Sequence, residues 1–199
     1  MDVRELRPGL YRWTARHPDW RPGAEPGSPD DWPPDVGCVA YRAPDALVLV
    51  DPLVPAGLWD ALDALVDRHN KRVAVLTTIR WHRRSRDEVV ARYGASASRA
   101  RRILPQGVAT IPIRRAGETM IWLPEPRALV PGDRIVGTGD GGLRVCPESW
   151  LRYLRPGIAL PELRADLRKL LDLPIGRVLV SHGEPVLQDG RGALARALV

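Results

Sequence analysis

Four apolar runs each close on a titratable residue: "LVLVDP" on Asp51, "VLTTIRWH" on His82, "ALVPGD" on Asp133 and "VLVSHGEP" on His182. Runs of Val and Leu with little polar alternation mark strands buried on both faces. A sheet buried that way needs covering layers, so the chain is expected to fold as an α/β protein with helices flanking its sheets. The ends of such strands are where α/β proteins place their sites. Asp51, His82, Asp133 and His182 are therefore the first candidates for chemistry. Taken singly each is ordinary, since a strand-terminal Asp commonly serves a turn and a lone His commonly packs.

The rest of the chain fits the same class. "GLYRWTAR" and "VGCVAYRA" read as strands, and "AGLWDALDALVDRHN" sets Leu58, Leu62, Leu65 and Val66 at helical spacing. "DEVVARYG" through "SRARRIL" reads as a helix and a second short one. "GVATIPIR", "TMIWLPEP" and "RALVPGD" read as strands. "LPELRADLRKLLDL" is an amphipathic helix with Leu163, Leu167, Leu170 and Leu171 on one side, and "GALARALV" is a last helix. Asp19 to Asp35 is crowded with Pro and Gly and forms no regular element. A loop of that length is a candidate lid, and Trp20 and Trp32 are unusual in a mere linker. With no internal repeat and no linker, residues 1–199 are expected to form one domain.

The net charge of +6 is a weak guide to partners. Only Lys71 and Lys169 among the 30 basic residues are lysines, and the chain has 20 Pro and no Phe. That pattern reflects GC-rich coding, which raises Arg everywhere. Arg83, Arg86, Arg92, Arg99, Arg101 and Arg102 still crowd one region, with Trp81 and Tyr93 as stacking faces. A solvated helix face is the plainer reading, and nucleic-acid binding through residues 80–102 is not favoured. No apolar run approaches the roughly 20 residues of a membrane span. The start "MDVRELRPGLYRW" lacks the apolar core of a signal peptide. A soluble, cytoplasmic protein is expected, with Cys38 and Cys146 as free buried thiols.

From Leu10 to the C-terminus the chain resembles the metallo-β-lactamase fold superfamily. "VLVDP" looks like the family's strand ending in a structural Asp, and "LTTIRWHRRS" stands where the family carries its HxHxDH metal motif. "AGETMIWLPEPRALVPGD" looks like the turn, two strands and bridging Asp, and "RVLVSHGEPVL" like the late strand and its metal-binding His. The resemblance implies a four-layer αββα sandwich and a hydrolase using one or two metal ions, commonly zinc. It puts His82 on the second His of the motif, Asp133 on the bridging Asp and His182 on the final His. Asp51 falls on a position that supports the ligands. Arg80, Arg84 and Ser85 replace the first His, the Asp and the last His of the motif, and Glu118 stands where a further His belongs.

Arginine is always charged and has no lone pair to give, so two arginines at ligand positions oppose a dication. A two-metal site is not expected. Two arrangements stay open. In one, His82, Glu118, Asp133 and His182 converge on a single zinc-like ion, and Asp133 orients the attacking water or takes its proton. In the other, Arg80 or Arg84 fills the metal's place and neutralises Asp133 and Glu118, with no metal bound. The second is preferred, because the sequence already supplies the cation. Without metal, hydrolysis falls to His82 or His182 as general base, and an anionic small-molecule ligand held by Arg80 and Arg84 becomes the better reading. The expectation is thus a divergent hydrolase-like protein with an incomplete metal site and reduced or lost activity. The alternative is a non-catalytic binder of a small anion or a protein partner.

Overall fold

A computed structural model describes residues 2–98, 104–154 and 156–199. The first sheet has six strands in sequence order: β1 (Arg4–Arg7), β2 (Leu10–Arg16), β3 (Asp35–Arg42), β4 (Ala46–Val50), β5 (Arg72–Leu76) and β6 (Ser96–Ser98). Its first three pairings are antiparallel, and β4–β5 and β5–β6 are parallel. Parallel neighbours need crossovers. Helix α1 (Trp59–His69) supplies the first and α2 (Arg86–Tyr93) the second. Both helices stop on a left-handed residue, Asn70 at φ 44° and Gly94 at φ 59°, a conformation that turns the chain out of the helix.

The second sheet holds β7 (Ala109–Ile113), β8 (Glu118–Leu123), β9 (Ala128–Val130) and β12 (Arg177–Val178), ordered β12-β9-β8-β7. Strands β10 (Ile135–Gly137) and β11 (Leu143–Val145) form a separate hairpin, and α3 (Leu160–Leu167) and α4 (Gly190–Ala197) complete the chain. Among these helices none is long and apolar enough to cross a membrane.

Alternation along the strands builds the layers. In β4, Val48 and Val50 face the second sheet and pack with Ile121, Leu123 and Val130. Leu47 and Leu49 face the other way, onto Leu58, Leu62 and Leu65 of the α1 segment. In β8, Met120 and Trp122 turn outward onto Leu163 and Leu167 of α3 and Leu194 of α4. The result is helix, sheet, sheet, helix, the αββα sandwich. All five residues of β4 are buried, which is why the run reads as continuous apolar sequence.

Local expectations differ in three places. The second short helix after α2 is absent from the described part of that segment: residues 96–98 pair in parallel with β5, and Arg99, Arg101 and Arg102 lie outside the described residues. The amphipathic helix from Leu160 changes to a tighter 3-10 turn over Arg168–Asp172. The short β1 and the β10–β11 hairpin have too few alternating positions to stand out in sequence.

Candidate functional site

The four run-ending residues meet at one end of the sandwich. Asp51 follows β4 in a left-handed conformation, φ 48°, and is buried. Its carboxylate accepts the Thr78 backbone N–H at 2.9 Å and the Thr78 hydroxyl, and lies 2.9 Å from Nδ1 of His82. The opposite ring nitrogen, Nε2, stands 2.9 Å from Oδ1 of Asp133. His182 Nε2 reaches the same oxygen at 3.4 Å. His182 is placed by its backbone: Gly37 N–H donates to the Ser181 carbonyl at 2.7 Å and Gly137 N–H to the His182 carbonyl at 2.9 Å. A Cβ on Gly137 would sit 2.2 Å from the Glu184 carbonyl, so this approach requires glycine.

His82, Asp133 and His182 are all buried, and their candidate donor atoms lie within 4.8 Å of one another. Asp133 Oδ1 has two imidazoles at ion-pair distance yet no well-directed hydrogen bond, and it is shut away from water. Such an oxygen is a strained acceptor unless a cation sits between the three groups. Two imidazole nitrogens and one carboxylate oxygen are a sound donor set for a zinc-like ion with one position left open. Asp51 behind His82 fixes the ring so that Nε2 faces inward, the usual carboxylate support of a metal-binding His. The residues present therefore fit a single dication.

The electrostatics point the same way. Burial and the Arg84 guanidinium oppose protonation of His82, but Asp133 and Asp51 on either side outweigh them and push its pKa up to about 9. Burial would raise the Asp133 carboxyl, yet His82 and His182 hold it well below the usual range. Burial pushes His182 down despite Asp133, with His82 and Arg84 adding to the effect. One cation is thus held against Asp133, either the His82 proton or a metal.

Glu118, expected as a ligand, is not one of this cluster. Its carboxylate accepts three backbone N–H groups: Gly132 at 3.0 Å, Asp133 at 2.8 Å and Arg134 at 3.0 Å. It rivets the turn that carries Asp133. Burial raises its pKa, with the nearby Arg134 guanidinium opposing. The turn fits because Gly132 lacks a side chain: a Cβ there would lie 2.7 Å from Thr78 Oγ1.

The arginine-filled arrangement is also corrected. Arg80 is exposed and stacks over Trp81 at 5.4 Å, with no ion pair to Asp133 or Glu118. Arg84, at φ 41°, turns into the fold. It donates to the Asp51 carbonyl at 2.9 Å, the Gly37 carbonyl at 3.1 Å and Ser181 Oγ at 2.6 Å. Neither guanidinium neutralises the acidic pair. Elsewhere in the basic region, Arg92 pairs with Asp63 and Arg83 with Asp87.

Two further residues join the site: Trp81, expected only as a stacking face, and Arg134, which the sequence does not single out. Trp81 donates its indole N–H to Asp133 Oδ2 at 2.5 Å. Arg134, fully buried, lies 5.8 Å from the Trp81 ring and donates to the Ala116 carbonyl. Each is the immediate neighbour of a candidate ligand, which is the one cue that would have found them. Above the cluster lies a cavity of about 370 Å³, walled by Trp81, Trp150 and Tyr153 and by Trp32 and Pro29 of the Pro/Gly-rich loop. Trp32 and Trp150 meet His182 edge-on at 5.7 and 5.3 Å.

A six- and a four-stranded sheet packed face to face between helices, with His and Asp at one end, define the metallo-β-lactamase fold, and comparison with solved structures shows it. A metallo-β-lactamase from Hirschia baltica superposes with a TM-score of 0.66 at 13% identity, over 99% of this chain and 95% of that one. A metallo-β-lactamase family protein from Thermus thermophilus gives 0.57 at 16% identity, over 96% and 79%. A flavodiiron protein from Giardia intestinalis gives 0.57 at 15%, over 99% of this chain and 58% of that one. No protein-family model matches the sequence, and no curated protein does.

Proposed function

We propose that the protein is a hydrolase whose site holds one divalent metal on His82, Asp133 and His182. The observation that carries the reading is the convergence of the two buried imidazoles on one buried Asp133 oxygen that receives no well-directed hydrogen bond, with Asp51 supporting His82 from behind. A dication held there would supply Lewis acidity and would lower the pKa of water toward ~7. The chain's own residues supply the rest. Asp133 offers Oδ1 to the cluster, while Trp81 holds Oδ2. The aromatic walls over His182 limit the water that reaches it. A second metal lacks donors, because Arg80, Arg84 and Ser85 occupy the positions that would provide them. The Hirschia baltica neighbour is a metallo-β-lactamase, which supports hydrolysis as the reaction class.

Metal analysis of the purified full chain, as isolated and after zinc reconstitution, tests this. One equivalent per chain is expected, falling to near zero in His182→Ala. Absence of metal after reconstitution would overturn it. One observation favours a second reading, a metal-free small-molecule binder: His82 with its pKa near 9 already supplies a cation to Asp133.

A further inference from the structure

Among the described residues, two aromatic side chains stand exposed, Trp81 at 40% and Tyr153 at 52%. Both line the cavity above the candidate metal centre. An exposed ring forfeits the gain of burial, and one alone is unremarkable. Two in one cavity, backed by Trp32 and Trp150, form an apolar surface that a ligand would cover. The volume, about 370 Å³, falls at the small end of the ~300–1,000 Å³ typical of small-molecule sites. That suits a body of one or two rings.

The charges on the cavity wall set the other half of the ligand. Arg84 is spent on two carbonyls and a hydroxyl. His17 turns its Nδ1 to accept the Asp19 N–H, and burial, with the Arg84 charge adding to the effect, lowers its pKa. The Asp19 carboxylate is at the solvent side, 4.0 Å from His17. Arg80 lines the same cavity, lies over the Trp81 ring, and makes no hydrogen bond or ion pair with any described residue. One free guanidinium beside an aromatic wall is a bidentate match for one carboxylate.

We propose that the cavity takes a small aromatic carboxylate, its ring lying against Trp81 and Tyr153 and its carboxylate on Arg80. This deepens the hydrolase reading by naming the class to which the substrate or its product belongs, and it rests on that reading only for the word substrate.

The test is calorimetric titration of the full chain with 2-naphthoate and its neutral counterpart 2-naphthylmethanol, on EDTA-treated and on zinc-loaded protein. In metal-free protein the acid is expected to bind about tenfold more tightly than the alcohol, as a charge-assisted pair at a partly open site allows. Arg80→Gln should abolish that difference, and Tyr153→Ala should weaken both probes several-fold. Both side chains are exposed, so the fold survives. Equal binding of acid and alcohol, an acid unaffected by Arg80→Gln, or no binding of either probe overturns the proposal. So does acid binding confined to zinc-loaded protein, which assigns the carboxylate to the metal. A chain that takes no zinc yet binds the acid through Arg80 removes the hydrolase reading and leaves this one standing.

Discussion

The indole N–H of Trp81 donates to Oδ2 of Asp133 at 2.5 Å, leaving Oδ1 facing His82 and His182. One carboxylate oxygen is thereby fixed and the other presented. Removing the donor while keeping a ring, as in Trp81→Phe, frees the carboxylate to rotate. Supports of this kind are worth roughly 10–100-fold in metal affinity. Competition against a chromophoric chelator should show a loss of that size. Unchanged affinity would reduce Trp81 to a wall of the cavity.

The His82–Asp133 pair makes the metal-free protein sensitive to pH in a defined window. His82 is raised from 6.5 to about 9 on folding, so its contribution is complete below pH 6.5 and lost as pH rises through 9. Asp133 is held well below 3.8, so its contribution is present above that pH and lost only in strong acid. At ~1.4 kcal/mol per pKa unit, the His82 part is on the order of 3 kcal/mol. Thermal melts of EDTA-treated protein should fall between pH 6.5 and 9, and His82→Gln should flatten that fall. A wild-type profile flat across this window would refute the assignment.

Glu118 is expected to govern folding rather than metal binding. Glu118→Gln replaces an acceptor oxygen with an N–H donor facing backbone N–H groups of the 132–134 turn. A buried donor left against donors costs about 1–3 kcal/mol, and more where the lost bond was charge-assisted. Urea unfolding should show a loss of at least that size, with zinc stoichiometry retained. A variant that is stable but metal-free would restore Glu118 as a ligand.

The contrast between Asp51, His82, Asp133 and His182 on one hand and Glu118, Arg80 and Arg84 on the other shows what a sequence can carry. The first four close buried apolar runs, and because β4 pairs in parallel with β5 and β9 with β12, each sheet brings two such ends to one edge. The layers were legible for the same reason, from "LVLV" and from leucines spaced by helix turns. Glu118 begins a strand, and only the approach of β8 to the turn after β9 decides that its oxygens meet amides. Arg84 itself takes a left-handed conformation, and that sends its side chain inward. Arg134 sits beside Asp133 in sequence but points to the opposite side of the turn, toward Ala116 and Trp150.

The two arginines once equivalent in the motif should therefore separate cleanly by experiment. Arg84 joins the Asp51 and Gly37 carbonyls to the Ser181 hydroxyl, so it ties the ends of β4 and β3 to the segment carrying His182. Lysine has no planar fork and can keep at most part of this set. Each lost bond to a charged group is worth ~1.5–3 kcal/mol, so Arg84→Lys should destabilise by at least about 2 kcal/mol. Among the described residues the Arg80 guanidinium meets only the Trp81 face, and surface changes of that kind stay within about 0.5 kcal/mol. Parallel urea titrations of Arg84→Lys and Arg80→Gln measure both. Equal losses would mean that Arg84 does not hold these strand ends together.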